Sequence, residues 1–271
     1  MSDSRNDRLY KLEQQSIFII REAYAKAKRP GLLWSIGKDS TVLLWLVRKA
    51  FMGHCPLPLV HIDTRFKIPE MITHRDRIVR DWGLKLIVGS NTVALDQGMT
   101  PDNGRLECCS ALKTDAFQKT VVEYGFDSIM LGIRRDEERS RSKERIFSVR
   151  GENFEWQYKD QPPEFWQQYN TEVPKGAHVR VHPILDWTEI DVWQYIEQEN
   201  IPVVTLYFAR DGKRYRSLGC WPCTSPIASQ AANIAEIITE LKTIGQSERG
   251  GRAQDQADRY AMQKLRAKGY M

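Results

Sequence analysis

The fold this sequence predicts is a doubly wound, mostly parallel α/β sheet, and three observations predict it. Short apolar runs alternate with segments whose apolar residues recur every three to four positions, the pattern of strands followed by crossover helices. One junction, Leu32-Leu33-Trp34-Ser35-Ile36-Gly37-Lys38-Asp39-Ser40-Thr41, breaks from an apolar strand into a turn of small residues and at once into a helix. The 271 residues are long for one α/β core but bury one comfortably, and an apolar fraction of 41% is ordinary for a globular chain.

Periodicity places the elements in order. A first helix is expected from Arg8 to Lys28, followed by strands at Leu32 to Ile36, Leu57 to Asp63, Lys85 to Val88 and Ser128 to Ile133. Helices at Ser40 to Phe51, Pro69 to Trp82 and Cys108 to Tyr124 connect these strands. Beyond them, residues 151–176 are rich in Trp, Tyr, Gln and Pro and read as an irregular insertion that covers a site, meets a partner or simply packs. Thr188-Glu189-Ile190-Asp191 opens a helix like a capping box, which puts Trp193 in the core. The chain divides into a nucleotide-binding unit over 1–200 and a helical and irregular C-terminal extension over 201–271.

Composition narrows the class. No apolar run approaches the roughly 20 residues that a membrane span needs. The start, Met1-Ser2-Asp3-Ser4-Arg5-Asn6-Asp7, lacks the apolar centre of a signal peptide, so a cytoplasmic protein without membrane contact is expected. With 40 basic and 35 acidic side chains, the net charge of +5 suits nucleic acid and nucleotide phosphates equally.

The junction after the first strand is built to cradle an anion. Small residues at Ser35, Gly37 and Ser40 admit backbone N–H groups to a phosphate, the following helix directs its positive end at the same point, and Lys38 adds a point charge. It is not a Walker A loop, because Asp39 stands where that motif places its hydroxyl. In open sheets, ligands sit beyond the carboxyl ends of strands, and two more candidates lie there. Asp63 ends the second strand, suited to a ribose or adenine amino contact or else to capping the next helix. Gly132 permits close backbone approach at the end of the fourth, and Arg134 and Arg135 follow to meet a polyanion. The charge-rich stretch continues to Arg150 and is read mostly as a solvated face.

The loop resembles the Ser-Gly-Gly-x-Asp-Ser PP-loop of ATP pyrophosphatases, with Ile36 in place of the first glycine. His61-Ile62-Asp63-Thr64, the run from Gly132 to Arg141 and the run from Asp186 to Trp193 extend this likeness to the phosphoadenosine-phosphosulfate reductase superfamily. Within it, the chain resembles the small subunits of bacterial sulfate adenylyltransferases from about Leu12 to Tyr270. The resemblance implies an adenine nucleotide alpha hydrolase-like fold and cleavage of ATP between its α and β phosphates. Ser35, Gly37, Lys38, Asp39 and Ser40 would hold the β and γ phosphates with Mg²⁺, while Arg134 and Arg135 neutralise charge developing at the α phosphate.

Five cysteines complicate this picture. Glu107-Cys108-Cys109-Ser110-Ala111-Leu112-Lys113-Thr114 stands where the adenylyltransferase subunits have His-Thr-Asp-x-Met-Lys-Thr, and Gly219-Cys220-Trp221-Pro222-Cys223-Thr224 follows. A Cys-Cys pair with a distant Cys-x-x-Cys is how adenylylsulfate reductases and the ATP pyrophosphatases of DNA phosphorothioation hold a [4Fe–4S] cluster. Zinc and inert thiols are the alternatives for Cys108, Cys109, Cys220 and Cys223, and Cys55 is read as a bystander. No cysteine follows Cys223 to serve as the nucleophile of the reductases.

The expectation drawn from these features is an ATP pyrophosphatase that adenylates DNA backbone phosphates for sulfur insertion. It resembles enzymes of the Dnd and Ssp modification systems and would work with a cysteine desulfurase, further DNA-modification subunits and DNA. The alternative keeps the fold and makes adenylylsulfate from sulfate with a GTPase partner. A homo-oligomer is compatible with either, and an idle nucleotide-binding subunit is disfavoured by Lys38 and Asp39. Ser247-Glu248-Arg249-Gly250-Gly251-Arg252 resembles a tail segment of the adenylyltransferase subunits, and its arginines bind phosphate or stay solvated.

Overall fold

Six strands form the central sheet: β1 (Pro30–Leu33), β2 (Leu59–Ile62), β3 (Leu86–Gly89), β4 (Ser128–Leu131), β5 (Phe147–Arg150) and β6 (His178–Val181). Their order is β3-β2-β1-β4-β6-β5, parallel throughout except for the antiparallel edge pair β5–β6. The computed structural model describes residues 2–138, 141–156, 158–159, 161–171, 176–243, 248, 261–267 and 269–270. Helices α1 (Ser2–Lys26), α2 (Lys38–Ala50), α3 (Pro69–Asp81), α4 (Thr92–Asp96), α5 (Arg105–Cys109), α6 (Ala116–Tyr124), α7 (Glu189–Glu199), α8 (Ile234–Thr243) and α9 (Ala261–Ala267) complete it. From β1 the chain winds outward through β2 and β3, then returns to place β4 on the other side of β1. The crevice at that reversal is where doubly wound sheets bind ligands.

The central strands are buried on both faces, as parallel sheets require, so Leu32, Leu33, Leu59, Val60, Ile129 and Met130 join one continuous core. Trp34 continues the ladder by donating its amide to the Val60 carbonyl at 2.8 Å. Strand geometry stops there because Ile36 turns to φ 70°, outside the β region, and this is why β1 ends before the expected Ile36. The expected helix from Cys108 to Tyr124 is divided into α5, a π-helical turn at Ser110–Asp115, and α6. A π turn inside a helix shifts the faces of its side chains, and such turns gather at functional sites.

β5 and β6 escaped the periodicity reading because their inward positions are polar. His178, Arg180, Ser148 and Arg150 are buried, and Arg150 donates to Glu144 at 2.8 Å. The segment after 200 holds the two-stranded β7 (Lys213–Arg214) and β8 (Ile227–Ala228), and Ile237, Ile238 and Leu241 of α8 belong to the same core as the sheet. The described part of 151–176 is irregular apart from a short 3-10 turn, Phe165–Gln167. It is tied down where Glu164 accepts the amides of Ile146 and Phe147 at 2.8 and 2.9 Å. Trp193 is fully buried edge-to-face on Tyr207, and Thr188 and Asp191 form the reciprocal cap expected at the start of α7. Among the described residues no helix is long and apolar enough to cross a membrane.

Candidate active site

The loop between β1 and α2 forms one wall of a cavity of about 160 Å³ at the switch point, well beyond the ~10–15 Å³ that a single water needs. Gly37 is the N-cap of α2 with no side-chain cap, and the Lys38 amide donates to the Tyr207 hydroxyl at 2.8 Å. Ser40 Oγ lies 3.1 Å from Ser35 Oγ and 3.0 Å from the Gly37 carbonyl, closing the turn on itself. The end of β4 presses against this turn. A Cβ on Gly132 would lie 2.8 Å from both the amide nitrogen and the Cα of Ser40, so only glycine admits the approach.

A buried ion network underlies the loop. Lys38 Nζ donates to Glu248 Oε1 at 2.5 Å and lies 3.3 Å from Asp39 Oδ2. Arg134, fully buried, donates to Asp39 and Asp136 at 2.6 Å each and also to Glu248. Burial opposes charge on Lys38, but the Asp39 and Glu248 carboxylates outweigh it and hold its pKa above the ordinary value. Burial likewise pushes Asp39 up, while Arg134 and Lys38 pull it below the carboxylate range. Glu248 behaves differently: burial, with Glu189 nearby, raises it to about 7 against the pull of Lys38 and Arg134. A carboxylate therefore occupies the anion position between Lys38 and Arg134, and it is less acidic than an ordinary glutamate.

Ser35, Gly37, Lys38, Asp39, Ser40 and Gly132 all line the cavity. Arg134 stands behind the loop rather than facing the cavity. Arg135 points elsewhere, its guanidinium paired with Asp186 and donating to the Glu144 carbonyl at 3.2 Å. At the second strand Ile62 lines the cavity, whereas Asp63 closes a turn by accepting the Arg65 amide at 2.8 Å. Arg249 and Arg252 lie outside the described residues, as do Arg139 and Ser140. Sequence reasoning missed Lys67, Lys113, Glu137, Arg141, Tyr207, Glu248 and Tyr270, all of which line the cavity. Lys113, Glu137, Arg141 and Glu248 carried a signal, because each stands in a stretch that resembles the adenylyltransferase subunits, whereas Lys67, Tyr207 and Tyr270 carried none.

The four cysteines come from α5 and from the Cys-x-x-Cys turn, which is held to the segment after β2 by a backbone bridge between Lys67 and Cys220. Cys220 Sγ lies 3.1 Å from Thr64 Oγ1. Burial and the neighbouring thiols of Cys109, Cys220 and Cys223 push Cys108 up to about 11. Burial also acts upward on Cys220, but Lys113 and Lys67 bring it below the ordinary thiol value. Among the described residues no group of three or more His, Cys, Asp or Glu side chains is disposed to hold a metal ion. Cys108, Cys109, Cys220 and Cys223, as arranged, do not make up such a group. Cys55 lies apart, donating to the Leu57 carbonyl at 3.4 Å.

A parallel sheet with a phosphate loop at its switch point defines an α/β nucleotide-binding protein, and its sequence places it further. The chain belongs to the phosphoadenosine phosphosulfate reductase domain family, whose profile matches residues 29–226. It is 42% identical to a protein named sulfate adenylyltransferase subunit 2 from Saccharophagus degradans, with 97% of each chain covered. The protein of the same name from Vibrio cholerae is also 42% identical, with both chains covered in full. In fold it is similar to a phosphoadenylyl-sulfate reductase from Candida auris solved with phosphate, at TM-score 0.55 and 14% identity, covering 81% of this chain and 97% of that one. The protein is an enzyme of the PP-loop, nucleotide-transfer type.

These relatives overturn the expectation of DNA phosphorothioation. That expectation weighed four cysteines against the whole chain, whereas the similarity runs end to end through the phosphate loop, the switch point and the C-terminal segment. Support is likewise lacking for the Dnd and Ssp comparison, the desulfurase and DNA partners, and the iron–sulfur chemistry attached to them.

Proposed function

We propose that this chain is the adenylyl-transferring subunit of a sulfate adenylyltransferase, converting ATP and sulfate into adenylylsulfate and pyrophosphate. The observation that carries this reading is the 42% identity to proteins of that name across the full length of the chain. A sulfate oxygen attacks the α phosphorus, the bond to the bridging oxygen of the β phosphate breaks, and pyrophosphate leaves. The loop of Ser35, Gly37 and Ser40 and the positive end of α2 receive the β and γ phosphates, and Lys38 meets their charge as it exchanges Glu248 for phosphate. Asp39 and Arg134 act as positioning residues: their mutual bond and Arg134's hold on Asp136 fix the loop from behind. Mg²⁺ bound to the triphosphate would offset phosphate charge during the transfer. A GTPase partner subunit drives the unfavourable equilibrium.

The test is sulfate-dependent release of pyrophosphate from ATP by the chain together with its GTPase partner. Lys38→Met, which keeps the side-chain length and removes the charge, is expected to lower turnover on the order of 10²-fold or more while circular dichroism stays native. No sulfate-dependent pyrophosphate from the native complex would overturn the reading.

A further inference from the structure

The nucleotide cavity contains a second set of positive charges that the phosphate loop does not use. Lys67, in the turn after β2, and Lys113, in the π-helical turn, both line it. The other cations at or behind this cavity are matched to carboxylates, Lys38 and Arg134 to Glu248 and Arg141 to Glu137. Among the described residues, neither Lys67 nor Lys113 forms an ion pair with a carboxylate.

Their surroundings are specific. Lys67 feels Cys220, Lys113, Asp63 and Cys109, and Asp63 is already engaged by the Arg65 amide. Lys113 lies 6.0 Å from the Tyr270 ring and interacts with the thiols of Cys220, Cys109 and Cys223. Lys38 is engaged instead by Glu248 at 2.5 Å and Asp39 at 3.3 Å, so the two sets of charge line one cavity with different partners. Two ammonium groups that repel each other in a half-buried wall are favourable only when an anion joins them. Lysine ammoniums, compact point charges with three donors each, recognise an anion chiefly by its charge.

We propose that Lys67 and Lys113 form the subsite for the acceptor oxyanion, a tetrahedral dianion of the sulfate class, beside the triphosphate subsite. This assignment rests on the sulfate adenylyltransferase reading. Two positive charges match a dianion, whereas the nearby Cys220 thiol supplies at most one negative charge. The pair offsets the repulsion between sulfate and the polyphosphate and holds an oxygen toward the α phosphorus, where orientation counts most.

The experiment measures sulfate-dependent pyrophosphate release by the complex with the GTPase partner, and ATP affinity separately by equilibrium dialysis. Lys67→Met and Lys113→Met are each expected to raise the sulfate KM about tenfold or more, with ATP affinity within about twofold of native, since each removes a charge-assisted contact. Lys67→Arg and Lys113→Arg, which keep the charge, should recover part of the loss and stand in for a Met variant that fails to fold. An unchanged sulfate KM in folded variants overturns the assignment while leaving the sulfate reading in place. A loss of ATP affinity equal to the rise in sulfate KM also overturns it, making the lysines phosphate contacts. Stoichiometric iron whose visible absorption shifts in the variants while the sulfate KM does not would show that the lysines serve the cysteines instead. Absence of sulfate-dependent turnover in the native complex is a different result, which removes the underlying reading and the subsite with it.

Discussion

Ile36 meets two opposing requirements at one position. The turn out of β1 demands φ 70°, a region where a β-branched residue is strained by roughly 1–3 kcal/mol, yet the side chain is only 1% exposed. Ile36→Gly relieves the backbone but deletes a buried side chain, a change that typically costs ~2–5 kcal/mol. Burial should win. The variant is expected to lose about 2 kcal/mol, read from its denaturation midpoint, while still binding ATP. Glu248 offers a second test at this scale. With its pKa pushed up to about 7, it is ionised above that pH and competes with triphosphate for Lys38, and it is neutral below. Glu248→Gln should therefore tighten ATP binding above pH ~7 and converge with native below it. Comparing the two proteins at each pH cancels the nucleotide's own titration, and equal affinities at pH ~8 would show that Glu248 does not compete. That Ser35, Gly37, Lys38 and Ser40 would line a cavity was legible because glycine, small side chains and lysine at such a junction serve few other purposes. Glu248 was not, since a glutamate in a polar tail resembles a solvated one until the fold buries it.

Between elements, the decisive contact is β4 against α2. Gly132→Ala places a Cβ 2.8 Å from the Ser40 backbone, which cannot yield as a flexible side chain does. The expected result is a displaced phosphate loop: a stability loss of about 1–3 kcal/mol and an ATP affinity reduced at least tenfold by dialysis. Near-native ATP binding would show that the loop tolerates the shift. The sequence reading of Gly132 as a point of close approach anticipated this contact. It did not anticipate the division of 108–124, because apolar periodicity continues through Leu112, Ala116, Phe117 and Val121 whether or not one extra residue is accommodated in a π turn. That turn sets the register of Lys113, so a proposed acceptor contact depends on a local feature to which hydrophobic pattern is blind.

Over the whole molecule, a buried cluster joins the β5–β6 edge to the C-terminal segment. Glu144 bonds Arg150 at 2.8 Å and Arg266 at 3.2 Å, and Arg180 donates to the carbonyls of Gly269 and Tyr270 at 2.5 and 2.8 Å. This cluster holds Tyr270 in the nucleotide cavity. Burial pushes the Glu144 carboxyl up, but Arg150, His182, Arg266 and Arg180 together bring it down to about 2. A carboxyl depressed in the fold contributes stability that is fully present above its unfolded value near 4.5 and is lost as pH falls toward 2. Glu144→Gln is expected to cost about 3–5 kcal/mol at neutral pH, as loss of one partner in a buried pair does, and to flatten the decline in stability below pH ~4.5. An acid limb identical to native would exclude Glu144 as its source.

The sequence by itself determined four of the parallel strands, the small-residue turn that lines the cavity and the place of Gly132. These follow from short-range periodicity and from residue types that suit only tight turns and anions. The broad reaction class was legible in the same way, through motifs that are contiguous in the chain. Tertiary structure alone decided which charges meet. Arg134 pairs with Asp39, Asp136 and Glu248, Arg135 turns away to Asp186, and Lys67 and Lys113 enter the cavity without carboxylate partners among the described residues. The cause is physical: the worth of a buried charge depends on what lies within a few ångströms of it, and those neighbours can come from distant segments, as Asp39 does for Arg134 and Glu248 for Lys38.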